Sequence, residues 1–176
     1  MNADEDTVRV FFALWPNAAE RSRLARWQSE LISGARAMRP ESLHATLVFL
    51  GEVESFRLEA LKLAACEVLA VPFRLCFDQA RYWGHNHIMY AAPKHVPLEL
   101  LQLVGELEKK LIRHRFKFEQ REYKPHVTLL RNAHWSDDPL PAMKPVCWEV
   151  ADFVLLQSGQ QETSYRVLAR FPLLKS

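Results

Sequence analysis

Glycine is scarce in this chain. Its five glycines stand at 34, 51, 84, 105 and 159, no two of them close. A Walker A loop and a G-x-G-x-x-G dinucleotide turn both need clustered glycines to bring backbone N–H groups against phosphate, so both are excluded. No G-x-S-x-G nucleophile elbow occurs either. Any phosphate handled here must be held by side chains. No apolar run approaches the roughly 18 residues of a membrane span. The start, Met1 to Asp6, is acidic and polar and lacks the basic and apolar regions of an export signal. Three scattered cysteines, Cys66, Cys76 and Cys147, make no C-x-x-C pair. They read as reduced thiols, and the chain as cytoplasmic. Net charge is only +2, which marks no nucleic-acid binder by itself.

What is present suits one unit, 1–176, with a substantial core: 176 residues, 49% of them hydrophobic. Strands are expected at Val8 to Trp15 and at Leu43 to Leu50, the latter ended by Gly51. Others are expected at Phe73 to Trp83, His87 to Ala92, His126 to Leu130, Trp148 to Leu156 and Ser164 to Pro172. Apolar residues three and four apart mark helices at Ala18 to Leu31, Ser55 to Leu69 and Pro97 to His114. Ser33 to Ser42 and residues 132–145 read as loops. Strands and helices do not alternate regularly. This favours an α+β fold with largely antiparallel sheets over a doubly wound one.

One tetrapeptide pattern occurs twice: His44-Ala45-Thr46-Leu47 and His126-Val127-Thr128-Leu129. With seven His and four Thr, random placement gives about 0.16 H-x-T matches. In a strand, residues i and i+2 share a face, so each His projects with its Thr. Two such strands facing one cleft supply two imidazoles and two hydroxyls. That set suits phosphate-ester cleavage: one imidazole takes a proton from water, the other gives one to the leaving oxygen, and hydroxyls hold the phosphoryl oxygens. No metal or cofactor is required. A lone His on an apolar strand is usually a core residue bonded to a carbonyl; two matched copies argue otherwise.

The match extends beyond the tetrapeptides. It takes in Val10 to Leu14, Arg39-Pro40-Glu41, Leu43 to Glu52, Pro125 to Arg131 and Tyr165 to Leu173. In these stretches the chain resembles the two-histidine (2H) phosphoesterases, and most closely their RNA 2′,3′-cyclic phosphodiesterase branch, known as ThpR or LigT. Both extended motifs of that branch, H-x-T-x-x-F and H-x-T-x-x-R, are intact. The resemblance implies a bilobal α+β fold, with two largely antiparallel sheets flanking a central groove and helices outside. It implies that His44 is the general acid on the ribose O3′ and His126 the general base on water, leaving a 2′-phosphate. Thr46 and Thr128 would hold phosphate oxygens, Arg131 would clamp the phosphoryl group, and Phe49 would stack on the terminal base. The implied partner is RNA ending in a 2′,3′-cyclic phosphate, tRNA fragments among the candidates, and the implied state is a monomer.

Three other functions remain open at this point. The groove could make or break 2′–5′ linkages, act on a small cyclic nucleotide, or bind RNA without catalysis. Phe49 and Arg131 pose a geometric problem. Each lies five positions after its histidine, where strict alternation points it to the opposite face. Only a twist, a bulge or a strand end brings them back. Between Lys109 and Arg131 eight basic residues meet two acidic ones. Arg113, Arg115, Lys117, Arg121 and Lys124 therefore form a candidate RNA-backbone patch or a solvated helix face. His85-Asn86-His87 reads as a turn rather than a metal site, because no third ligand is evident. Of the tryptophans, Trp83 alone is a candidate base platform; the others read as core or groove wall.

Overall fold

The computed structural model describes residues 6–31, 34–136, 139–159 and 164–174. Met1 to Glu5 of the acidic start lie outside these, as do residue 33 of the first expected loop and residues 137–138 of the second. The first apolar run forms β1 (Thr7–Leu14). Asn17 then caps α1 (Ala18–Glu30): its side chain accepts from the Glu20 N–H at 2.9 Å, and the Glu20 carboxylate accepts from the Asn17 N–H at 2.7 Å. This reciprocal box satisfies two otherwise orphaned N–H groups. A two-residue strand, β2 (Arg36–Ala37), and a 3₁₀ turn (Pro40–Ser42) interrupt the expected loop before β3 (Ala45–Glu54). Gly51 does not end that strand. It sits within it at φ +76°, beside a bulge, and pairing with β1 runs on to Glu54.

A 3₁₀ turn (Ser55–Arg57) leads into α2 (Leu58–Cys66). Then come β4 (Phe73–Phe77), β5 (Gln79–Trp83) and β6 (Ile88–Ala92). The longest helix, α3 (Leu98–Arg113), has Pro97 at its N-cap and buries Leu100, Leu103, Val104, Leu107 and Leu111. The chain closes with β7 (Val127–Arg131), β8 (Val146–Val150), β9 (Asp152–Ser158) and β10 (Tyr165–Pro172).

The fold is α+β, with antiparallel sheets of eight and two strands. The large sheet runs β10-β9-β1-β3-β7-β6-β5, with β2 beside β7; the small one pairs β4 with β8. Two expected strands divide. Phe73 to Trp83 breaks at Asp78 into β4 and β5, and Trp148 to Leu156 breaks at Ala151 into β8 and β9. In each case the chain passes from the small sheet to the large one. The Asp78 N–H donates to the Ala92 carbonyl at 3.2 Å, and the Ala151 carbonyl accepts the Leu173 N–H at 2.8 Å, so backbone groups at the breaks stay paired. The helices complete one hydrophobic core in which Leu24 and Trp27 of α1 and the α3 stripe meet Ala45, Leu47, Val127 and Leu129 of the sheet.

The reading of three reduced thiols does not hold. Cys76 and Cys147 face each other in the β4–β8 register, with Cα atoms 4.0 Å apart, and form a disulfide. Cys66 is free and exposed. The partners are 71 residues apart, so only the cross-strand register, not local spacing, brings them together. No helix among the described residues is long and apolar enough to cross a membrane.

Candidate active site

The two tetrapeptides lie at the middle of the large sheet. Each histidine stands one residue ahead of its strand, His44 before β3 and His126 before β7. The strands join through one residue pair, Ala45 with Val127, and these are the middle residues of the two H-x-T triplets. Both are fully buried. On the other face, His44, Thr46, His126 and Thr128 line one groove of about 960 Å³.

Each imidazole is held the same way. His44 Nδ1 lies 2.7 Å from the Ser42 carbonyl and His126 Nδ1 2.9 Å from the Lys124 carbonyl. A carbonyl only accepts, so Nδ1 carries a proton in both rings and Nε2 is left to exchange one. Aromatic rings wall both. His44 meets Phe11 at 5.1 Å and the edge of Tyr165 at 5.0 Å, while His126 meets Trp83 at 4.8 Å and Tyr90 at 5.6 Å. Burial pushes His44 down to about 4; the Ser42 bond opposes this, and the nearby positive charges of His126, Arg21 and Arg131 add to it. His126 is also lowered, again chiefly by burial, with the Lys124 bond opposing and Arg121 adding.

Phe49 and Arg131 both reach the groove, by one device used twice. Along β1, Phe12 pairs with Val48 and Ala13 with Thr46, so Leu47 is an extra residue. Along β6, Met89 pairs with Leu130 and Tyr90 with Thr128, so Leu129 is extra. Leu47 and Leu129 are the same position of the tetrapeptide. Each bulge shifts the alternation by one, which puts the residue three after the threonine back on the groove face. The Leu129 carbonyl accepts the Met38 N–H at 2.9 Å and the Gln28 Nε2–H at 2.9 Å. Gln28 is buried, and its amide also donates to the Met38 carbonyl at 2.8 Å. Sequence reasoning missed Gln28, because a polar residue on α1 gives no sign of its partner on β7. It also missed Tyr123, whose hydroxyl donates to the Thr46 carbonyl at 3.1 Å and ties the segment before β7 to β3. Phe11 and Tyr165 were visible only as members of the resembling stretches.

The remaining candidates separate. Trp83 lies in the groove, its ring 3.9 Å from that of Tyr90. Trp27 is buried and donates to the Lys144 carbonyl at 2.9 Å, and Trp148 stacks on Phe77. The basic patch divides. Arg121 and Lys124 line the groove, whereas Arg113 pairs with Glu67 at 3.9 Å at the end of α3. Residues 84–87 form the expected turn; His87 sits at φ +56°, and the Tyr82 hydroxyl, which donates to the Ala133 carbonyl at 2.9 Å, accepts from His87 Nδ1–H at 3.1 Å. No group of three His, Cys, Asp or Glu among the described residues is placed to hold a metal.

Two imidazoles with free Nε2 atoms, two hydroxyls and a guanidinium around one groove are a set able to do acid–base chemistry on a phosphate ester. The family described as LigT like Phosphoesterase matches residues 14–90 and 91–158, and the chain belongs to it. An Escherichia coli protein named RNA 2′,3′-cyclic phosphodiesterase is 30% identical over 169 residues, which span 94% of this chain and 96% of its own. A protein of the same name from Archaeoglobus fulgidus is 30% identical over 129 residues, 70% of this chain and 72% of its own. The crystal structure of E. coli LigT in apo form superposes with a TM-score of 0.88 at 28% identity, covering 97% of this chain and 99% of that one. The same protein complexed with 3′-AMP gives a TM-score of 0.86 at 28% identity, over 97% and 100% of the two chains.

Proposed function

We propose that this chain hydrolyses a 2′,3′-cyclic phosphate at an RNA end to a 2′-phosphate, with His44 and His126 as the acid–base pair. The observation that carries this reading is the pair of imidazoles facing one groove, each with Nδ1 on a carbonyl and Nε2 available. The relatives named RNA 2′,3′-cyclic phosphodiesterase and the nucleotide bound by E. coli LigT support it.

The step balances without a cofactor. Water attacks phosphorus as His126 Nε2 accepts its proton. The bond from phosphorus to O3′ breaks, and His44 Nε2 gives O3′ a proton. Thr46 and Thr128 donate to the non-bridging oxygens. Arg131 grips the phosphoryl group with two parallel N–H bonds, and Phe49 stacks on the terminal base. We place the reaction in the cytoplasm, with one bilobal chain as the working unit and RNA fragments as substrate. That placement rests on the substrate, since the Cys76–Cys147 bridge withdraws the thiol argument for it.

The test is to incubate the protein, with chelator present, with RNA ending in a 2′,3′-cyclic phosphate. A 2′-phosphate product is expected. A 3′-phosphate, an untouched end, or turnover restored only by a divalent ion would overturn the reading.

A further inference from the structure

The groove extends past the reacting groups along β1. Phe11, against His44, and Arg9 are two residues apart on that strand and both line the groove. Two strand residues advance about 7 Å, so Arg9 lies roughly one further contact away from the chemistry. Its guanidinium sits 5.1 Å over the ring of Phe49. Glu52 lies directly across from Arg9 in the β1–β3 register, yet the two form no ion pair. Arg9 makes no salt bridge with any described residue. Ser158, another groove residue, donates its hydroxyl to the Arg9 carbonyl at 3.4 Å. The result is an exposed cation at the rim, with no ion-pair partner among the described residues, lying over the Phe49 ring.

Resting on the hydrolysis proposed above, we infer that Arg9 is a specificity residue: it binds the phosphodiester on the 5′ side of the terminal nucleotide, so the groove prefers an RNA end to a free cyclic mononucleotide. The chemistry separates the two substrates. With the cyclic phosphate between the imidazoles and the base on Phe49, the sugar directs its 5′ oxygen away from the reacting bond. In RNA that oxygen carries an anionic phosphodiester. In a free 2′,3′-cyclic mononucleotide it is a hydroxyl, which a guanidinium grips far less strongly. The other role for Arg9 is to brace the Phe49 ring through the cation–π contact. A brace acts on every substrate that uses the platform, whether or not a second phosphate is present.

The experiment compares kcat/KM for a 2′,3′-cyclic mononucleotide and for a dinucleotide ending in a 2′,3′-cyclic phosphate, with wild type, Arg9→Ala and Arg9→Lys, at two salt concentrations. Wild type should prefer the dinucleotide. Arg9→Ala should shrink that preference about tenfold, the scale of one lost charge-assisted contact. It should also reduce the salt dependence of dinucleotide turnover by about one phosphate contact. Arg9→Lys should keep most of the salt dependence, because the charge remains. Equal losses on both substrates would show a brace and overturn the inference, as would an unchanged preference. If wild type turns over neither substrate, hydrolysis itself fails and the inference falls with it. If it turns over both and Arg9→Ala keeps the preference, only the role of Arg9 fails.

Discussion

In the free protein His44 holds a proton poorly, and this sets a condition on its role. A fall from the ordinary 6.5 to about 4 disfavours the imidazolium by about 3 kcal/mol. At pH 7 only about one molecule in a thousand would carry the proton there. A general acid in that state is idle. A bound phosphate changes the balance. One negative charge about 4 Å away, at an effective dielectric constant of about 20, favours the imidazolium by about 4 kcal/mol. It also offsets Arg131, one of the cations that depress His44. The gain matches the deficit, so the substrate itself should charge the acid that cleaves it. The measurement is the titration of the His44 ring proton by NMR, in the free protein and with saturating inorganic phosphate. The midpoint should lie near 4 without phosphate and rise by about two units or more with it. In kinetics, the alkaline limb of kcat should lie at higher pH than that of kcat/KM, because the first reports the complex and the second the free enzyme. A midpoint near 6.5 in the free protein, or one that stays near 4 with phosphate bound, would refute the reasoning.

Three further outcomes are expected. Arg131→Ala should lower kcat about 100- to 1,000-fold, as for a donor preset for transition-state charge, and Arg131→Lys should recover little; an unchanged kcat removes Arg131 from the reacting groups. Gln28→Leu takes the side-chain donor from the Met38 carbonyl and one of two donors from the Leu129 carbonyl, so it should cost about 1–3 kcal/mol in urea unfolding and lower kcat more than it raises KM. A loss of stability with normal kcat would mean that the Leu129 bulge holds Arg131 without Gln28. Stability of the unliganded protein should fall as pH drops from about 6.5 toward 4, since the unfolded chain takes up a proton there that folded His44 resists. His44→Gln should flatten that part of the curve, and urea midpoints at pH 4.5 and 7 would show whether it does.

The positions of most strands and helices were legible because burial enforces a period. The α3 stripe from Leu100 to Leu111 is the clearest case, and β1 is another. The breaks at Asp78 and Ala151 were not legible. Phe73, Leu75 and Phe77 of β4 and Ala80 and Tyr82 of β5 pack on the same core, so apolar residues run on across the change of sheet and mask it. The repeated tetrapeptide pointed to His44, Thr46, His126 and Thr128 directly, since a shared face follows from spacing alone. Phe49 and Arg131 came only from resemblance. Leu47 and Leu129 look like ordinary strand residues, and what makes them bulges is the register of their partners. The same blindness hid Gln28, Tyr123 and the Cys76–Cys147 bridge, all of which are contacts between residues far apart in the chain.

The pairing of Ala45 with Val127 has a last consequence. Antiparallel strands that meet at their equivalent residues are related by an approximate two-fold rotation. That rotation exchanges His44 with His126, Thr46 with Thr128, and Leu47 with Leu129. It also carries Phe49 onto Arg131. The imidazoles alone therefore give the reaction no polarity; either could serve as the acid. On the proposed mechanism, direction enters through the broken equivalence, with a ring on one side to take a base and a guanidinium on the other to take phosphate. Exchanging the two, Phe49→Arg with Arg131→Phe, should seat the substrate end for end and trade the tasks of the two histidines. An activated ester, whose leaving group needs no proton, would report the trade by rescuing His126→Ala in the exchanged background in place of His44→Ala.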